Sequence, residues 1–200
     1  MNKDRPKIRL ELFDPNLVKT TSDCFIMEET ITDGYAKINV HVQNYSILFE
    51  KVDKHVLGFL ELKNCPDFVL FEYKNDHWIP HIFEFKKTIN KKHFEHSKLQ
   101  FLGGLQNALA YAGILGISLS LEKTILYSVY QNDNLANVSN PAKIRYLMHR
   151  NHEDEEKKED KKIKQEWNSG WVNMVFDNCS NFKLKKIKLD KESGETEYSL

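Results

Sequence analysis

The sequence predicts an α/β fold: a mixed β-sheet with at least one long helix packed on it, in two or three layers. Three observations predict it. Ile38, Val40 and Val42 alternate with Asn39, His41 and Gln43, the two-residue period of a half-buried strand. Phe68 to Lys87 reads as two β-rich runs joined by the polar stretch Lys74 to His77, a hairpin. Beyond it Phe94, Leu99, Leu102, Leu105, Leu109 and Ala112 fall near helical spacing, and Lys123 to Tyr130 returns to strand composition.

The opening residues read as an arm or an edge strand, with Asp14-Pro15-Asn16 as a turn. Ser22 or Asp23 is placed to cap a short helix running to about Ile31, which Asp33-Gly34 would end. Ile47 to Phe49 and Val56 to Leu62 are expected to be strands, joined around Asp53-Lys54. In the hairpin, Pro80 sits near the start of the second strand, where an edge or strand-end position tolerates it. Gly113 and Gly116 suit the end of the long helix, whereas Gly103-Gly104 in its middle counts against a helix unless the helix there lies very close to the sheet. Asn132 to Pro141 is expected as loop and Ala142 to Arg150 as a short helix. His152 to Lys164 is almost wholly charged and is assigned to a solvated helix laced with ion pairs or to a connector. Trp167 to Phe176 is apolar enough to return to the core, and the last nine residues, ESGETEYSL, read as a loose tail. The chain is therefore expected to be one domain over 1–200, with a core at about 20–150, a charged connector at about 151–166 and a C-terminal segment, 167–200, packing back on the core.

Two hundred residues suffice for one domain with a proper core. The formal net charge is zero, so global electrostatics announces no polyanionic partner. Charge is nonetheless uneven: Lys86, Lys87, Lys91, Lys92 and Lys98 cluster, as do Lys183, Lys185, Lys186 and Lys188, and local patches rather than net charge attract phosphates. Cys24, Cys65 and Cys179 are odd in number and far apart, which excludes a disulfide framework and a CxxC knuckle and predicts reduced thiols, at least two in apolar surroundings. No apolar run reaches the roughly 18 residues of a membrane helix, and the charged N-terminus lacks a signal-peptide core. A soluble, cytoplasmic protein without a membrane partner is the expectation. Phosphate-cradling GxxxxGK[ST] and GxGxxG loops and a GxSxG elbow are absent from the sequence. His77, His81, His93 and His96 cluster without an HExxH or cysteine partner, so phosphate contact or plain surface histidine is favoured over zinc, and His81 is a strand residue facing core or cleft. Of Trp78, Trp167 and Trp171, at least two are expected in the core.

One constellation carries chemistry. Residues two apart on a strand project from one face, so Glu84 and Lys86 point together while Phe83 and Phe85 face the core. Asp67 begins the preceding strand, and a hairpin turn around Asn75 carries it beside Glu84. Two adjacent carboxylates repel, and a hard cation resolves that repulsion while keeping several waters. A lysine beside them can orient or deprotonate water, or neutralise charge developing on a phosphate. The plain alternative is a surface ion pair, worth little.

Pro66-Asp67, then Glu84-x-Lys86 on the next strand, then a helix carrying Gln100, resembles the PD-(D/E)xK nuclease superfamily over roughly Val56 to Tyr130. Glu61-Leu62-Lys63 has the same acidic-x-Lys form without that context. The resemblance implies a restriction-endonuclease-like core, a mixed central β-sheet flanked by helices. It implies a nuclease, endo- or exo-, dependent on Mg²⁺ or Mn²⁺, acting on nucleic acid, with DNA favoured over RNA, in restriction, recombination or defence. Asp67 and Glu84 would hold the metal with the backbone carbonyl of Phe85, Lys86 would serve the water, and Gln100, or failing that Gln106, would sit at the mouth of the site. An upstream acidic residue is common in that group, and Glu28, Glu29 and Glu50 are open choices. A homodimer or a partner subunit is compatible with it. The rival reading is a non-catalytic nucleic-acid-binding or interaction subunit with the same fold.

Overall fold

The computed structural model describes residues 8–31, 34–50, 64–135 and 155–200. The strand expected at Val56 to Leu62, the Glu61-x-Lys63 pair and the helix expected at Ala142 to Arg150 lie outside them, as does most of the loop expected after Asn132.

The fold is mixed α/β. Its elements are β1 (Val18–Thr21), β2 (Cys24–Ile31), β3 (Gly34–His41), β4 (Ser46–Glu50), β5 (Phe68–Lys74), β6 (His77–Ile89), α1 (Lys91–Leu115), β7 (Ile125–Asp133), α2 (Glu155–Ser169), β8 (Trp171–Phe176), β9 (Cys179–Lys188) and β10 (Glu195–Ser199). A seven-stranded mixed sheet has the order β1-β4-β5-β6-β7-β9-β8, and a three-stranded sheet has the order β10-β3-β2. β4, β5 and β6 form an antiparallel meander; α1 then crosses over so that β7 runs parallel to β6.

The layers follow from two-residue alternation. Along β6, Phe83 and Phe85 join Phe25, Met27, Ile38 and Val40 in the core between the two sheets. Ile82 faces the other way, into a core with Phe94, Phe101, Leu105 and Trp167 from the helices. The molecule is thus helix, large sheet, small sheet. The predicted hairpin is present, its turn built on Asn75 and Asp76 at positive φ (52° and 63°).

Two expectations fail. Cys24 to Ile31 is a strand and not a capped helix: Phe25 and Met27 are buried while Ile26 and Glu28 are exposed, and this period of two outweighs the capping signal at Ser22-Asp23. The C-terminal nine residues are likewise no loose tail. β10 lies parallel to β3, pairing Glu195 with Lys37 through Ser199 with His41. Its turn is held by Asp190, which accepts from Ser193 N–H (2.8 Å) and Glu192 N–H (2.9 Å). The thiols are reduced but only half-buried. Trp78 and Trp167 are buried, and Trp171 is 52% exposed. The charged run is largely α2, tied to α1 through Lys91–Asp160 (2.7 Å) and Lys98–Glu166 (2.8 Å), with Ile163 and Trp167 buried beneath. Among the described residues no helix is long and apolar enough to cross a membrane.

The double glycine in α1 has the predicted cause. A Cβ on Gly103 would fall 1.6 Å from the backbone carbonyl oxygen of Asn64, and one on Gly104 2.7 Å from Ile82 Cγ2 and 2.9 Å from Pro66 Cγ. The helix therefore rests directly on the segment that enters β5. Gly113, by contrast, meets nothing within 4 Å. Gly103→Ala is expected to cost about 3 kcal/mol, a fall of roughly 6–12 °C in thermal midpoint. Gly113→Ala should gain up to about 1 kcal/mol from helix propensity alone. Calorimetric midpoints of the two variants check this, and a neutral Gly103→Ala would contradict the close seat.

Candidate functional site

The β5–β6 ladder ends at Phe68 opposite Phe83. Just before it, the Asp67 N–H donates to the Phe83 carbonyl (3.2 Å), one residue out of that register, which holds Asp67 at the entry to β5 beside the Phe83–Glu84 stretch of β6. Ile82, two before Glu84, packs toward α1, so Glu84 and Lys86 project from the α1 face of the large sheet.

Asp67 is tied to β6 by its side chain: its Oδ2 accepts the Phe85 N–H at 2.8 Å and satisfies that backbone donor. The carboxylate is thereby anchored at the β6 residue that lies between Glu84 and Lys86 in the chain. Lys86 Nζ donates to Glu84 Oε1. Glu84 is fully buried, Asp67 is 3% exposed, and the Lys86 side chain is 21% exposed, so the lysine alone links the trio to solvent.

The parallel registers add residues that sequence reasoning missed. Glu84 aligns with Ser128 on β7, and Ser128 with Lys186 on β9; Lys86 aligns in the same way with Tyr130 and Lys188. Ser128 is fully buried, and its hydroxyl has no hydrogen-bond partner among the described residues. Lys186 Nζ donates to the Trp167 carbonyl (3.1 Å) and lies 5.0 Å from that indole's ring centre. Alternation in KTILYSVY put Ser128 on the face of Leu126, but only the crossover says which neighbours that face meets. The same alternation divides the lysine run: Lys186 and Lys188 share the α1 face with Phe182 and Leu184, whereas Lys183 and Lys185 face the other side.

Gln100 on α1 reaches the entry to Asp67, with Nε2 3.4 Å from the Cys65 carbonyl. None of the upstream glutamates joins the trio. Glu28 and Glu29 are in the small sheet, beyond the opposite face, and Glu50 aligns with Phe68 on that opposite face and pairs with Lys19. The histidines disperse: His77 and His96 are exposed, His93 Nδ1 lies 2.5 Å from the Thr88 carbonyl, and His81 is buried on the far face. No group of three or more His, Cys, Asp or Glu is placed to hold a metal among the described residues.

A second polar cluster lies on that far face. His81 Nε2 is 3.3 Å from Glu72 Oε2, and its Nδ1 is 3.0 Å from the Tyr127 hydroxyl. Asn44 Nδ2 donates to the other Glu72 oxygen at 2.6 Å. Burial pushes His81 below its ordinary value of 6.5, outweighing the pull of Glu72, and the nearby Lys185 and Lys74 push it the same way. The ring is therefore neutral, with Nδ1 at hydrogen-bond distance of the Tyr127 hydroxyl and Nε2 facing Glu72 without an aligned hydrogen bond. His81 beside it, assisted by Asn44, holds Glu72 below the usual carboxylate value despite burial.

The described chain is thus an α/β protein with two buried carboxylates, Asp67 and Glu84, beside the partly exposed Lys86, and a Glu-His-Tyr cluster on the far sheet face. Compared with known proteins, it matches no family model, no curated protein and no solved structure.

The sign of the His81 shift fixes a pH dependence. Below the ordinary histidine value of 6.5 the unfolded chain binds a proton at His81 that the folded chain refuses, so stability falls as pH drops through that value. The loss is at most about 1.4 kcal/mol per pH unit from this residue. The depressed Glu72 contributes stability above its unfolded value of 4.5 and loses it only at lower pH. Denaturant titrations at pH 7, 6 and 5, compared between wild type and His81→Gln, should show the shallower slope in the variant. Equal slopes would contradict a buried neutral His81.

Proposed function

We propose that the chain is a divalent-metal-dependent nuclease of the PD-(D/E)xK type, hydrolysing phosphodiester bonds, with DNA as the favoured substrate, through Asp67, Glu84 and Lys86. The observation that carries this reading is the buried Asp67 carboxylate bonded to the N–H of Phe85, the residue that follows the buried Glu84, with Lys86 hydrogen-bonded to Glu84. The meander β4-β5-β6 followed by α1 and a parallel β7 supports a restriction-endonuclease-like core around them.

The residues fit a hard cation. One carboxylate is bonded to the Phe85 N–H and the other belongs to the residue before it, and carboxylate and carbonyl oxygens are the donors a hard cation takes. Mg²⁺ or Mn²⁺ would be held by Asp67, Glu84 and the Phe85 carbonyl; when bound it supplies charge stabilisation on the phosphate and acidifies a water. Lys86, already hydrogen-bonded to Glu84, is positioned to orient a water or to neutralise charge developing on a phosphate oxygen. Gln100 would steady the rim through the Cys65 carbonyl. Lys188, aligned with Tyr130 and Lys86, extends positive charge from the trio across the sheet.

The competing reading is a non-catalytic nucleic-acid-binding or interaction subunit in which the trio is a buried structural lock, and the full burial of Glu84 favours it. Cleavage separates the two. Purified protein is incubated with linear duplex, nicked and circular single-stranded DNA, and with RNA, in Mg²⁺, Mn²⁺ or EDTA. Metal-dependent cleavage is expected, falling at least about a hundredfold in Glu84→Gln and in Lys86→Met. Cleavage undiminished in both variants, or none on any substrate, would sink the proposal.

A further inference from the structure

A cavity of about 380 Å³ opens on the large-sheet face away from the Asp67–Glu84–Lys86 trio, lined by Glu72, His81 and Tyr127 and by Lys74, Lys123 and Lys185. That volume is within the ordinary range for small-molecule sites, roughly 300–1,000 Å³. Its polar groups form a connected path. Lys185 Nζ lies 5.7 Å from the Tyr127 ring centre and 5.5 Å from that of Tyr198. The Tyr127 hydroxyl meets His81, His81 meets Glu72, and Lys74 Nζ lies 3.9 Å from Glu72 Oε1. Glu72, His81 and Tyr127 are 3%, 2% and 0% exposed. Three buried polar side chains on adjacent strands, all bordering one opening, are costly to a fold that gains nothing from them.

The lining chemistry selects a ligand. Three ammonium groups against one carboxylate leave a net positive wall, since His81 is neutral. Lys123 and Lys185 have no ion-pair partner among the described residues; Lys185 is held by two aromatic rings instead. Ammonium groups are point charges that bind phosphate, and a phosphate dianion answers two of them more fully than a monoanionic carboxylate does. Glu72, with one hydrogen bond from Asn44 and His81 Nε2 3.3 Å away, retains acceptor capacity for a hydroxyl.

We propose that this cavity is a binding site for a small sugar phosphate, the phosphate on Lys123 and Lys185 and a hydroxyl on Glu72. It is separate from the proposed nuclease centre and stands independently of it, being built on the opposite face of β6.

Calorimetric titration of the intact chain with ribose 5-phosphate, inorganic phosphate and ribose tests it. Ribose 5-phosphate is expected to bind with Kd of about 1 mM or tighter, phosphate at least about tenfold more weakly, and ribose not measurably. Lys185→Met and, as a second variant at the exposed rim, Lys123→Met should each weaken ribose 5-phosphate about tenfold or more, with far-ultraviolet dichroism unchanged. Lys92→Met, on α1 at the other face, should bind like wild type. No binding of ribose 5-phosphate at about 10 mM, equal affinity for phosphate and sugar phosphate, or equal losses in all three lysine variants would each overturn the proposal.

Discussion

The close approach of α1 to the segment entering β5 is the constraint from which the rest of the site follows. Gly103 and Gly104 bring the helix onto Asn64, Pro66 and Ile82 at distances no side chain would permit. The helix thereby covers the notch where β5 begins, buries Asp67 and Glu84 beneath it, and leaves Gln100 against the Cys65 carbonyl. Asp67 completes the arrangement: its side chain accepts the Phe85 N–H, which ties one buried carboxylate to the backbone next to the other, Glu84. Small helix residues and a backbone-bonded carboxylate thus act as one unit.

Burying two carboxylates and one ammonium is expensive, and such pairs seldom stabilise a fold more than apolar residues of similar volume would. The cluster on the opposite face of the sheet repeats the pattern with Glu72, His81 and Tyr127. A small domain that retains two buried ionisable clusters, one on each face of its central strands, retains them at a cost that function would offset. The aromatic packing around them is dense: Phe83 stacks on Tyr127 at 4.2 Å, and Phe94 and Tyr130 both contact Trp167. That packing fixes the backbone to which both clusters are attached.

Much of this was legible in the sequence, where the period was strong. The hairpin, α1, β3, β4 and β7 follow from alternation and helical spacing, while Gly103-Gly104 spoke against α1 except where it presses on the sheet, which is the case found. β2 reads as a helix because Ser22-Asp23 resembles a cap and Asp33-Gly34 a stop, while only Phe25 and Met27 carry the strand period. β10 was missed because Glu195, Thr196 and Glu197 are polar; its stability comes from parallel pairing with β3, a long-range contact that local composition does not encode. In the site, the placement of Glu84 and Lys86 on one face, with Asp67 beside them, came from short-range rules. Ser128, Tyr130 and Lys186 required the register of a parallel crossover, and the pairing of His81 with Glu72 required the diagonal relation across the hairpin.

If Asp67 and Glu84 together hold one divalent cation, anomalous diffraction from crystals of the protein soaked in Mn²⁺ should reveal it. The expected result is a Mn²⁺ peak bound by both carboxylates and the Phe85 carbonyl, and missing in Glu84→Gln. Wild-type crystals with no peak at that position, or with Mn²⁺ bound only elsewhere, would contradict it.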